Sequence, residues 1–435
     1  MREIDVNADA LVRALLRLSK TEPVCILDSC GVRHLGSHLL IAGIRPTETF
    51  EVSSGNPDEV LQVIDQKLSG NLAAIFTLSY DFGAKMQRVR RSGTSDEPDA
   101  FLALFETLIV HDYDSGRTLI VGDDAKFDVQ LSFESSDPEP QPDIESGEYR
   151  SNFSREDYIS AVETIRDFIR RGDTYQTNLT QQLTARSNLE PSEIFLRLRR
   201  NHPAPFAAFI QRKSSTVVSA SPERFFSIDR NEDIEASPIK GTRRRGSTVT
   251  DDDRLRAELI SSEKDRAENI MIVDLVRNDL GRVCEFGSVA VEKLCDLEEH
   301  PTLFHLVSTV HGKLRHGTSF SDVLRATFPC GSITGAPKIR TMQLINEIEP
   351  AHRELSMGAI GMYVPSGWDL GDVDFNAVYD LSVAIRTMVI RGDVVKFSVG
   401  GGIVIDSDPS DEYDESLLKA SALLASLIAD ARDST

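Results

Sequence analysis

Cysteine is scarce in this chain. There are five, Cys25, Cys30, Cys284, Cys295 and Cys330, in 435 residues. The number is odd and no pair has C-x-x-C spacing, which argues against a disulfide framework or a zinc ribbon. Positive charge is also short: 48 Lys and Arg against 69 Asp and Glu give 48 − 69 = −21. That balance argues against a phosphate-backbone binder and a polybasic membrane anchor. No segment approaches the ~20 apolar residues of a membrane helix. The amino terminus lacks a continuous apolar core and a small-residue cleavage site, and Glu3, Asp5 and Asp9 speak against a transit peptide. It reads instead as an amphipathic helix with Leu11, Leu15 and Leu18 on one face. The expectation is a cytoplasmic protein with free thiols and neither nucleic-acid nor membrane partners.

What is present is ordinary globular composition, 40% apolar and 27% charged. Length alone suggests about three domains or one large unit. Strand-like runs occupy Val24–Leu27, Leu39–Ile44, Leu72–Leu78 and Ala103–Val110, without a regular strand–helix alternation. Residues 122–152 are acidic and rich in Pro and Ser, and read as a linker between an N-terminal part (1–121) and residues 153–435. A helix should begin at Ser154, with Asp157 completing a capping box, and end at Gly172. A second should cover about Asp253–Asn278, and a last one should start at Asp408–Pro409. Strands outnumber helices in irregular order, which points to an α+β fold.

Two phosphate-loop readings fail. GSITGAPK (331–338) lacks Gly-Lys-Ser/Thr, and Gly400–Gly402 is followed by an extended segment rather than a helix. Two helices carry carboxylates three apart, Asp265 with Glu268 and Glu412 with Glu415, and Lys419 lies four beyond Glu415. Spacing alone favours a solvated face with an ion pair. The sharper alternative is a Mg²⁺ site, since Mg²⁺ takes one or two protein carboxylates and leaves its other positions to water and an anionic substrate. SPERF (221–225) and SPIKGT (237–242) flank a hairpin-like stretch, with Glu223 and Lys240 among small or turn-forming residues.

Taken in order, SPERF, SPIKGTRRR, KDRAENIMIVDLVRNDLGRV (264–283), HLVSTV (305–310), GSITGAPKIRTMQLINEIEP (331–350), IRT (385–387) and SVGGGIVIDSDPSDEYDESLLKA (398–420) resemble the chorismate-utilising enzymes. The resemblance spans about 150–430, with SYDFG (79–83) a looser echo. It implies one large α+β sandwich of two antiparallel sheets flanked by helices, in place of three domains. Within that family, water-using branches carry Lys where this chain has Gln176. A Gln cannot serve as a base, so an ammonia-using branch is implied. Lys240 stands inside the P-I-x-G-T motif, where anthranilate synthases have a small residue, and marks the aminodeoxychorismate synthases. The rivals are the anthranilate synthase branch and a catalytically dead, ligand-binding homologue.

The resemblance also implies roles. Lys240 is the nucleophile at carbon 2 of chorismate, Glu223 the general acid and base, and His305 the group beside the leaving hydroxyl. Glu268 and Glu415 are implied as Mg²⁺ residues, with Glu412 and Asp265 as helpers. Tyr363 and Arg386 are expected at the substrate's side-chain carboxylate. Gly241, Thr242, Ser332, Gly400, Gly402, Lys419 and Gln176 are expected to line the pocket. None of the five cysteines sits in the glycine-rich elbow of a class I amidotransferase, so ammonia is expected from a separate glutamine amidotransferase subunit. Three departures stand out. Val364–Ala377 is longer than the family's short turn and reads as a surface hairpin, with a lid as the alternative. Cys330 replaces a Gly or Ala and is expected to have no role. Asp28–Ser29 is a weak echo of a tryptophan-binding stretch.

Overall fold

The computed structural model describes residues 1–428 except 34–37, 90, 92, 124, 126, 128–130, 132–148, 300–302, 370–372 and 374. Most of the expected linker lies outside the described residues.

Two antiparallel sheets, of twelve and ten strands among the described residues, pack face to face with helices outside them. The alternation of side chains explains the layering. In strand Leu39–Ile44, Leu39 and Ile41 enter a core shared by both sheets, while Leu40, Ala42 and Ile44 enter a second core under helices. In strand Ala100–Phe105, Phe101, Ala103 and Phe105 join the inter-sheet core, and Ala100, Leu102 and Leu104 face helices on the other side. Both faces of each strand are covered, which is why these runs are continuously apolar rather than alternating.

The same property hid one boundary. Ala103–Val110 reads as one strand but is two, Ala100–Phe105 in one sheet and Thr107–Asp112 in the other, with the chain crossing at Glu106. Uniform burial leaves no period to mark the crossing.

Three expected helices form. Helix Ala8–Leu18 buries Leu11 and Leu15, with Leu18 only half-buried. Helix Arg155–Arg170 is capped by Ser154, whose hydroxyl accepts the Asp157 N–H at 3.0 Å. Helix Pro409–Ser426 is capped by Asp408. The expected single helix over Asp253–Asn278 is instead two, Val249–Ser261 and Glu263–Gly281. Ser262 has extended backbone (φ −67°, ψ 103°) and its side chain accepts the Asp265 N–H, so it ends one helix and caps the next.

Within the segment Val364–Ala377, of which residues 370–372 and 374 lie outside the described residues, one side chain is firmly anchored. Trp368 is buried in the inter-sheet core, its indole N–H donating to the Asn71 carbonyl at 3.2 Å.

Candidate active site

Lys240 owes its direction to a β-bulge. Strand Ile239–Arg244 pairs with Leu303–Lys313 through Ile239↔Val307 and Thr242↔His305, so three steps on one strand span two on the other. Gly241 sits in the bulge at φ +85°, with Asp265 and Leu259 3.0 Å from where a Cβ would stand. A bulge re-aims the neighbouring side chain. Lys240 Nζ donates to the Ser332 carbonyl at 3.2 Å. Thr242 Oγ1 lies 2.9 Å from His305 Nδ1, which ties the imidazole orientation to the paired strand.

Glu223 lies just before strand Arg224–Asp229, which itself has a register shift between Arg224 and Phe226. Its carbonyl accepts the Val383 N–H, and the next residue, Arg224, is held by Asp380 at 3.1 Å. Glu223 is 6% exposed and its Oε1 has no hydrogen-bond partner among the described residues. Burial pushes its carboxyl above the usual range, against the pull of Lys240, the Ser332 hydroxyl and the Ile239 backbone. It is therefore set up to hold a proton.

On the acidic side, helix Glu263–Gly281 brings Asp265 and Glu268, and helix Pro409–Ser426 brings Glu412 and Glu415. Burial raises Glu268, with Asp265 and Glu412 adding to the rise and Lys240 and Lys264 opposing it. Burial likewise raises Glu412, which accepts the Ser407 hydroxyl at 2.7 Å and is pushed further by Glu415. Glu415 differs: burial raises it, but the Lys419 ammonium at 2.8 Å, with Lys264 and Arg243, outweighs burial and holds it low. The Glu415–Lys419 ion pair of the blander reading is thus present, at a solvent-exposed position. Asp265 is engaged by Arg243 at 3.2 Å. Among the described residues no group of three or more His, Cys, Asp or Glu forms a metal cage. Mg²⁺ needs none. The residues fit it by charge: carboxylates from two helices face one another, and burial and mutual repulsion leave Glu268 and Glu412 reluctant to ionise without a cation.

Strand Gln176–Arg186 closes the site between Val394–Ile403 and the two-residue strand Gly335–Ala336. Gly400 and Gly402 allow the close approach. A Cβ on Gly400 would lie 1.9 Å from the Leu179 carbonyl oxygen, and one on Gly402 would lie 2.0 Å from Gln176 Nε2. Gln176 is buried and its Oε1 has no partner among the described residues. Lys419 Nζ donates to the Gly400 carbonyl at 3.0 Å. Arg386, at φ +48°, follows strand Ala377–Val383. Burial lowers its basicity, and no carboxylate pairs with it among the described residues.

Tyr363 is not brought to this group. In the hairpin of Ala359–Tyr363 with Ala377–Val383 it pairs with Tyr379, whereas Val383, beside Arg386, pairs with Ala359. Four residue steps, roughly 14 Å of strand, separate the two ends. The Tyr363 hydroxyl donates to the Gly70 carbonyl at 3.1 Å. Asp28 is likewise committed, to Arg199 at 2.7 Å and to the Tyr113 hydroxyl at 2.6 Å, and borders an inter-sheet cavity of only about 40 Å³. Sequence reasoning missed Lys264, whose charge reaches Glu268, Glu412 and Glu415, although its spacing of four from Glu268 was a signal. It also missed Ser407. Cys330 proves to touch the site, its thiol 3.3 Å from Ser332 Oγ, while burial raises its pKa to about 11.

The family pattern described as chorismate binding enzyme matches residues 22–425. The chain belongs to that family. Among chorismate-binding relatives, aminodeoxychorismate synthase component 1 of Escherichia coli strain K12 is 33% identical over 421 residues, 93% of this chain and 88% of that protein. Aminodeoxychorismate synthase of Streptomyces griseus is 40% identical over 346 residues, 76% of this chain but 46% of that protein. The chain thus spans less than half the length of that curated relative. Among solved structures, anthranilate synthase component I of Streptococcus pneumoniae TIGR4 superposes with a TM-score of 0.74 at 28% identity, covering 90% of this chain and 93% of that one. The α+β two-sheet architecture is therefore a chorismate-binding fold. No helix among the described residues is long and apolar enough to cross a membrane.

Proposed function

We propose that this chain aminates chorismate at carbon 4 with ammonia, giving 4-amino-4-deoxychorismate for p-aminobenzoate and folate synthesis in the cytoplasm. The observation that carries this reading is Lys240, aimed by a bulge at the Ser332 carbonyl beside a buried Glu223 with a free carboxyl oxygen. A lysine in that position makes a covalent route available, and such a route splits a hard substitution into two easier ones.

The neutral Lys240 amine adds to carbon 2, the ring double bonds shift, and the carbon 4–oxygen bond breaks. Glu223 gives its proton to the departing hydroxyl, which leaves as water, with His305 beside it. Ammonia then adds at carbon 4, the double bonds return, and the carbon 2–nitrogen bond breaks to release Lys240. The proton shed by the added ammonia restores Glu223. The net change is chorismate plus ammonia to the amino product plus water. Gln176 has no basic group to activate water, which suits ammonia as nucleophile. Arg386 offers a cation for a substrate carboxylate. Glu268 and Glu415, aided by Glu412, would hold Mg²⁺, whose charge offsets the substrate carboxylate. Ammonia would come from a separate glutamine amidotransferase subunit, so the chain alone should use ammonium salt and not glutamine.

The test is incubation with chorismate and Mg²⁺. Without ammonia, wild type should accumulate a mass adduct that maps to Lys240, and Lys240→Ala should form none. With ammonium salt, wild type should give the 4-amino product. An anthranilate product would favour the anthranilate synthase reading, and no reaction would favour a binding homologue.

A further inference from the structure

Glu349 and Arg353 form a buried ion pair that the proposed chemistry does not use, with side chains 2% and 1% exposed. Arg353 Nε donates to Glu349 Oε2 at 2.9 Å and Nη2 to Oε1 at 2.7 Å. The same guanidinium donates to the Ile333 carbonyl at 2.8 Å and to the Asn178 carbonyl at 2.6 Å. Glu349 Oε1 also accepts the Thr180 N–H at 2.8 Å and the Thr180 hydroxyl at 3.0 Å. The Tyr80 ring covers the guanidinium, 4.6 Å from its carbon.

Three of these partners lie on segments that carry site groups. Asn178 and Thr180 belong to the strand that begins at Gln176. Ile333 follows Ser332, whose carbonyl receives Lys240. The direct ladder between the two segments is short: Gln176↔Ala336 and Thr177↔Gly335, flanked by the Tyr175 N–H and Thr174 hydroxyl on the Ala336 carbonyl at one end and the Asn178 N–H on the Thr334 carbonyl at the other. Arg353 extends that ladder from behind, bonding a carbonyl on each side.

We propose that Glu349 and Arg353 are positioning residues, a clasp that fixes residues 331–336 against strand Gln176–Arg186 and so sets the Ser332 carbonyl relative to Lys240. This rests on the functional reading above only for its kinetic consequence. Stability alone does not account for the pair, because a buried ion pair is often no more stabilising than apolar residues of the same volume. A planar fork, however, makes four bonds here, two to the carboxylate and one to each of two carbonyls, one more than the three N–H groups of a lysine can donate. A fully satisfied buried polar network also rigidifies what it joins.

Arg353→Lys tests this. It keeps a cation opposite Glu349 but cannot span both carbonyls. Wild type and variant are compared for kcat and chorismate KM with ammonium salt, and for amide hydrogen exchange. The clasp predicts that kcat falls about tenfold or more. Chorismate KM should stay within about threefold. Exchange at 332–336 and 176–178 should rise while that of strand Ala73–Leu78, in the other sheet, is unchanged. Wild-type kcat in the variant, or unchanged exchange at 332–336, overturns the proposal. If Arg353→Lys does not fold, the double variant Glu349→Gln, Arg353→Gln leaves no buried charge unpaired and is read in the same way. An inactive wild type would sink the functional reading instead, and the exchange comparison would still judge the clasp.

Discussion

Burial makes the Glu223 carboxylate reluctant to give up its proton, and that has a measurable cost. Its folded value lies above the ordinary carboxylate range. The folded protein therefore keeps a proton where the unfolded chain has released one. The associated stability is present below the ordinary range and is lost as pH rises through the raised value. Glu223→Gln removes that loss. The variant should match wild type in thermal stability near pH 4 and exceed it at neutral pH, while amination falls by about a hundredfold or more. Identical pH–stability curves would show that Glu223 titrates alike in the folded and unfolded chains, so that burial does not raise it. The four acidic helix residues give a second prediction. Glu268 and Glu412 are raised, whereas Glu415 is lowered after Lys419 outweighs burial. Apparent Mg²⁺ affinity should thus weaken as pH falls towards the ordinary carboxylate range, with Glu268 and Glu412 taking up protons before Glu415. Glu268→Gln should flatten that dependence, as read by Mg²⁺ titration of activity or by calorimetry. At this scale the structure brings Lys240, Glu223 and Ser332 together from motifs that stand far apart in the sequence. Tyr363 stands apart from this group: a tyrosine in sequence does not reveal which end of a hairpin it occupies. Lys264 was overlooked because its effect arises only when two helices meet.

Helices and strands were legible in proportion to their amphipathicity and caps. Ser154 and Asp408 announce their helices, and the structure has both caps. Ser262 sends the same signal but sits inside a polar stretch that looks helical throughout. Its side-chain cap should be worth about 1 kcal/mol, so Ser262→Ala should lower unfolding free energy by that amount in denaturant titration. The glycines of strand Val394–Ile403 separate two roles. Gly400→Ala drives a Cβ into the Leu179 backbone and should destabilise the fold by about 2 kcal/mol or more. Gly402→Ala meets the end of the Gln176 side chain. It should fold but displace Gln176, so its defect should show in ammonia KM rather than in melting temperature. Equal loss of stability in both would mean that Gly402 serves the backbone alone.

Whole-molecule architecture was legible only through resemblance. Composition and periodicity reach α+β but not the pairing of distant strands, because a strand covered on both faces carries no mark of its partner. The clasp at Glu349 and Arg353 is invisible for the same reason: its acceptors are carbonyls, which every residue has. The strand arrangement has a further consequence during synthesis. Thr177 pairs with Ile403, 403 − 177 = 226 positions later, and Glu268 waits in the same way for helix Pro409–Ser426. At about 5–20 residues per second, translation takes roughly 10–45 s to cover that gap. Throughout it the Gln176 strand lacks its long neighbour and offers an open edge to other nascent chains. The pocket therefore cannot form on the ribosome until Ile403 and helix Pro409–Ser426 have been made. Chains released near residue 390 should carry Lys240, Glu223 and His305 and yet depend on chaperones to stay out of aggregates.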